Sequence, residues 1–140
     1  MCEGNTSHFD ELDRYLTQPF SINAWSDSAI EHAITLIQHL TPQDWEHLAA
    51  AWQTRPNQWQ IHCAEVLPWG DLSYSPFLLI QFLRSPDDEV VLAAADSLRE
   101  IDKAVVAAHM AEHDKERLRQ IANTHQGITA RIINNLLDQV

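Results

Sequence analysis

Apolar residues return at spacings of three and four along nearly the whole chain, and the breaks between these stripes are short. Phe9, Leu12 and Leu16 predict a first helix that closes near Pro19. Ile30, Ala33, Ile34 and Ile37 predict a second, with Ser26 or Asp27 as its N-cap. Thr41-Pro42-Gln43-Asp44 is a start signal: a capping hydroxyl, a proline at the first helical position, and an acid in the first turn. The stripe behind it is Trp45, Leu48, Ala49 and Trp52. Arg55-Pro56-Asn57 restarts the chain into Trp59, Cys63, Ala64 and Leu67, which Pro68 and Gly70 close. A fifth helix runs through Phe77, Leu79, Ile80 and Leu83. Ser85-Pro86-Asp87-Asp88 then opens a sixth through Val90, Ala94, Ala95, Leu98 and Ile101. Weaker stripes predict helices from Val105 to Ala111, Lys115 to Thr124 and Ile128 to Leu137. Alternation of apolar and polar residues is nowhere sustained, so the fold class is all-α.

The chain also resembles itself. Shifted by 31 residues, Leu48 falls on Leu79, Trp52 on Leu83, Trp59 on Val90, Cys63 on Ala94, Ala64 on Ala95, Glu65 on Asp96 and Leu67 on Leu98. A helix-turn-helix unit is therefore used at least twice, most clearly over residues 42–70 and 73–102, within one domain spanning 1–140. Each unit is amphipathic and must stack on a neighbour to cover its apolar face. Small residues at Cys63-Ala64 and Ala94-Ala95 allow close helix approach.

The stretch from Ser85 to Leu98 resembles the second helix of a short bacterial HEAT repeat: an acidic-proline turn, a Val, a pair of alanines and a Leu. Pro56 to Leu67 is a more divergent copy, with Trp59 in place of the Val. The resemblance implies a short HEAT-like α-solenoid of antiparallel helix pairs, with the flanking helices as degenerate repeats or caps. That family usually places Arg directly after the Val, where this chain has Val91. The polar ladder that such an arginine supports must be built differently or not at all.

Composition narrows the function. The 140 residues carry 20 Asp+Glu against 9 Lys+Arg, a formal net charge of −11, which repels a phosphate backbone. Residues 1–102 hold 16 acids and 4 bases, a net of −12, and residues 103–140 hold 4 acids and 5 bases, a net of +1. Lys103, Lys115, Arg117 and Arg119 are interleaved with Glu112, Asp114 and Glu116, which dilutes the only basic stretch. Three glycines leave no phosphate-cradling loop. No apolar run approaches the roughly 20 residues that span a bilayer, the longest being Pro76 to Leu83. The first residues lack the basic and apolar regions of a signal peptide, and two cysteines, Cys2 and Cys63, make no disulfide framework. The expectation is a soluble cytoplasmic protein.

Candidate chemistry is sparse. His109-Met110-Ala111-Glu112-His113 matches H-x-x-E-H and, on one helix, would put two imidazoles within reach of one metal. No third ligand is evident, and the reading favours ordinary surface or partly buried histidines and no metal. His62 and Cys63 are adjacent, about 100° apart on a helix, and so do not form a nucleophile–base pair. The acids cluster in first turns, where they complement the helix macrodipole. No catalytic residue and no cofactor or small-molecule ligand is assigned.

The expected function is a non-catalytic protein-binding module with a basic protein partner, and with neither nucleic acid nor membrane as a partner. Small, acidic, helical, HEAT-like chains are similar to immunity proteins, which neutralise secreted bacterial toxins, often basic nucleases, by direct binding. The contact residues expected on this reading are Glu65, Trp69, Asp71, Asp87, Asp88, Glu89 and Asp96. The alternative is a HEAT-like scaffold, adaptor or regulatory subunit unrelated to toxins.

Overall fold

Most capping signals in the sequence open a helix where they stand. The structure, a computed structural model, describes residues 7–140. Ser7 Oγ accepts from Asp10 N and opens α1 (His8–Leu16), which buries Phe9, Leu12 and Leu16. The next start is Ser21, not Ser26 or Asp27: its Oγ accepts from Ala24 N at 3.1 Å and opens α2 (Ile22–Ala24). The chain then runs without a break through a wide turn, Trp25–Ala29, into α3 (Ile30–Gln38). That π-type turn accommodates one extra residue and points both Trp25 and Ala29 inward.

Thr41 and Asp44 form a capping box on α4 (Pro42–Ala51), and Asp44 Oδ1 also accepts from Phe9 N at the start of α1. Burial pushes the Asp44 carboxyl up, but the hydrogen bonds from Thr41 and Phe9 outweigh it and hold the group below its usual range. Trp52 lies just past this helix in a tight turn, yet stays buried against Phe82. After α5 (Asn57–Val66) come a second tight turn, Leu67–Trp69, then α6 (Ser75–Phe82) and α7 (Asp88–Leu98). The chain ends in α8 (Lys103–His109), α9 (Glu112–Thr124) and α10 (Ile128–Gln139). Among the described residues there is no strand, and no helix is long and apolar enough to cross a membrane.

In space α3 packs on α5, α5 on α7, and α7 on α10, so these four helices touch in series. Helix α1 packs on α3 and α4, α6 on α7 and α8, and α9 on α10. Cys63, Ala64, Ala94 and Ala95 are all fully buried, and Ser97 Oγ on α7 donates to Ala64 O on α5 at 2.7 Å. Only small side chains permit backbones so close.

Val91, where a HEAT arginine would stand, is fully buried among apolar residues. The cross-links come instead from the loops that precede the proline turns. Arg55, just before Pro56, grips Asp13 of α1 with two bonds of 2.8 and 2.9 Å. Arg84, just before Ser85-Pro86, grips Asp114 of α9 with bonds of 3.0 and 3.2 Å. Each arginine thus stands shortly before a proline turn, one tying its loop to α1 and the other to α9.

Candidate functional site

Three of the seven expected contact residues meet in one groove. Glu65 comes from α5, and Glu89 and Asp96 from α7. Ile61, Leu92, Ala93 and, from α10, Ile132 complete the lining of a depression of about 260 Å³. Glu89, Leu92, Ala93 and Asp96 follow the i, i+3, i+4, i+7 rule, so one face of α7 carries two acids at its ends and an apolar centre. No Lys or Arg lines the groove. Arg99 pairs with Asp96 at 2.7 Å, and both side chains are partly solvated.

Glu65 is held differently from its neighbours. Trp25 Nε1 donates to Glu65 Oε1 at 2.7 Å, and the indole stacks on His62 with ring centroids 3.8 Å apart. Burial raises the Glu65 pKa, the Trp25 bond offsets part of the shift, and the charge of Asp96 adds to it. Burial also pushes His62 down, so its ring stays neutral at physiological pH. Trp25 therefore lies in the core, and it positions a carboxylate at the groove wall.

Asp87 and Asp88 lie at the end of the same helix but are engaged in structure. Asp87 caps α7 through Glu89 N and Val90 N and accepts from Asn57 Nδ2 at 2.7 Å. Asp88 receives Arg117 at 3.3 Å and His125 at 3.1 Å.

Trp69 and Asp71 belong to a different surface, the connection between α5 and α6. Trp69 is 47% exposed, Leu72 60% and Phe77 55%, which makes this the most apolar exposed stretch among the described residues. The sequence stripe assigned Phe77 to the core. The structure turns it outward because Leu78, Leu79, Ile80 and Phe82 fill the inner faces of α6. Beside it lies a pocket of about 210 Å³ lined by Trp45, Ala49, Ser73, Tyr74, Phe77, Leu78 and His109. Trp45 and Tyr74 stack at 5.3 Å, and Phe77 meets His109 edge-on at 6.5 Å. Gly70 makes this packing possible: a Cβ there would stand 2.8 Å from Trp45 Cη2.

The H-x-x-E-H pattern is not on one helix. Helix α8 ends at His109, Met110 is extended, and α9 starts at Glu112, so His109 and His113 do not sit one turn apart. His109 Nδ1 bonds Val105 O at 2.9 Å, and His113 lies 3.4 Å from Asp114. Among the described residues no three His, Cys, Asp or Glu side chains gather as a metal site. Cys63 is fully buried, which pushes its thiol pKa up and keeps it protonated. Cys2 falls outside the described residues.

These elements define an all-α protein with an acidic groove on one face and an aromatic pocket on another. Comparison with protein families, with curated proteins and with solved structures finds no match to the chain.

Proposed function

We propose that the chain is a non-catalytic protein-binding module, an acidic immunity protein that neutralises a basic bacterial toxin domain, such as a nuclease, by covering it. The observation that carries this reading is the groove: Glu65, Glu89 and Asp96 around an apolar floor, with Arg99 paired to Asp96 outside the lining. Such a surface complements a basic partner twice, through charge and through the aliphatic stems of Lys and Arg. A net charge of −11 adds long-range steering toward that partner. The architecture on this reading is a short HEAT-like solenoid built on the packed pairs α1/α3, α6/α7 and α9/α10, with α5 stacked between α3 and α7, α4 packed on α1, and α8 as a connector. The series contact of α3, α5, α7 and α10 supports it. The groove then lies on the face formed by the second helices of successive units.

The test is binding and growth protection with basic toxin domains encoded beside the gene. Tight binding that weakens steeply with salt is expected, and E65Q/E89Q/D96N should reduce it by about a hundredfold if each lost charge is worth roughly 1 kcal/mol. If no such domain binds at low salt, the immunity reading fails. Stable association with one of the cell's own proteins would favour the scaffold or adaptor reading instead.

A further inference from the structure

We infer that the aromatic pocket between α4, α6 and α8 is a separate binding site for an arginine side chain of a partner protein. Four rings line it: Trp45 from α4, Tyr74 and Phe77 at the start of α6, and His109 at the end of α8. The Trp45 indole N–H is sealed from solvent, so this residue offers the pocket ring carbon and no donor. Phe77 is more than half exposed and leaves its ring open to a visitor. Ring faces carry negative potential and attract a flat, weakly hydrated guanidinium better than any other protein cation.

The polar atoms point to the same occupant. His109 Nδ1 faces the Val105 carbonyl at 2.9 Å, and a carbonyl can only accept, so Nδ1 carries the proton. In the neutral ring Nε2 is then an acceptor, suited to a guanidinium N–H. Ala49 and Leu78 supply apolar contact for the arginine stem. Glu46 is exposed on the α4 face of Ala49, three residues on, and Asp71 is exposed in the loop before α6, where its Oδ1 accepts from Ser73 N. Neither Glu46 nor Asp71 is in an ion pair among the described residues, and no Lys or Arg lines the pocket. A leucine or phenylalanine anchor would use the rings but bring no donor to His109 Nε2 and no positive charge to a chain of net charge −11.

This inference shares with the proposed function only the basic character of the partner, and it uses a different face. The probe is the peptide acetyl-Gly-Arg-Gly-amide, titrated into the full chain and followed by the indole and imidazole NMR signals of Trp45 and His109. The citrulline and leucine analogues, which lack the charge or the polar head, serve as controls. Saturable shifts are expected with the arginine peptide, about tenfold weaker with either analogue. Phe77→Ala, at an exposed position, should weaken arginine binding about tenfold. The groove variant E65Q/E89Q/D96N should bind the peptide unchanged, even if no toxin partner is found. Equal binding of the leucine peptide overturns the inference in favour of an apolar anchor. No shift with the arginine peptide, or an unaffected Phe77→Ala protein, also overturns it.

Discussion

Arg84 and Asp114 tie the turn after α6 to the first turn of α9: Arg84 Nε and Nη2 donate to the two carboxylate oxygens of Asp114 at 3.0 and 3.2 Å. Asp114 is only 1% exposed and also accepts from Ala111 N at the start of α9. It serves helix capping and long-range tethering at once, much as Asp44 does between α4 and α1.

Removing the arginine leaves a buried carboxylate with fewer partners. Arg84→Ala should lower stability at neutral pH by about 2 kcal/mol, less than the roughly 3–5 kcal/mol of a fully buried pair because Arg84 itself is partly exposed. Burial pushes the Asp114 carboxyl up, but its bonds to Arg84 and Ala111 outweigh this and hold it below its usual range. A depressed carboxylate stabilises the fold above its unfolded pKa, about 3.9, and that contribution is lost as the pH falls through the lower folded value. Urea titrations across pH should therefore show wild type and Arg84→Ala converging below about pH 4.

Glu65 has the opposite sign. Its folded pKa is raised, so the folded chain holds this proton more tightly than the unfolded chain does. Wild type should lose stability as pH rises through the window between the unfolded and folded values, and Glu65→Gln should not. Gln still offers an oxygen to Trp25 Nε1. The variant should melt at or above the wild-type temperature at neutral pH while binding a basic partner less tightly. A Tm well below wild type would contradict this account.

Gly70 should tolerate no side chain. Gly70→Ala places a methyl 2.8 Å from Trp45 Cη2 and 3.0 Å from Ser75 Oγ. The cost is that of an overpacked core, about 1–3 kcal/mol, read as a lower urea midpoint with unchanged slope.

Cys63 should behave as a buried spacer. In a C2S background its thiol should react with a disulfide reagent only at the rate of unfolding, because burial keeps it protonated and sealed. Cys63→Ala, small and apolar, should cost less than Cys63→Ser, which buries a hydroxyl at about 1–3 kcal/mol if unpaired. Fast labelling of the native protein would refute this.

Much of the fold was written locally. The Thr41-Pro42-Asp44 and Asp87 start signals, the small pairs at 63–64 and 94–95, and the stripes through Trp45, Leu48, Val90 and Leu98 each act within a few residues. Three local readings went astray for definable reasons. Ser21 is the N-cap because the wide turn at Trp25–Ala29 lets the helix run on past Ser26 and Asp27. Phe77 faces outward because α6 is apolar almost all round, so periodicity could not say which residues point in. The histidines of H-x-x-E-H part because Met110 is extended and Asp114 restarts the helix by accepting from Ala111 N.

The acidic groove divides in the same way. Its α7 half, Glu89, Leu92, Ala93 and Asp96, is readable from spacing alone, since a helix places those positions on one face. Sequence alone thus determined the all-α class, most helix starts, the small-residue contact and the location of the negative charge, because caps and stripes are short-range. Only the tertiary structure decided that Glu65 and Ile132 complete the groove, that Asp88 is drawn into contact with Arg117, and that Trp45, Tyr74, Phe77 and His109 share a pocket. Those meetings join residues about 30 to 70 positions apart, and they depend on how whole helices dock, which no local spacing encodes.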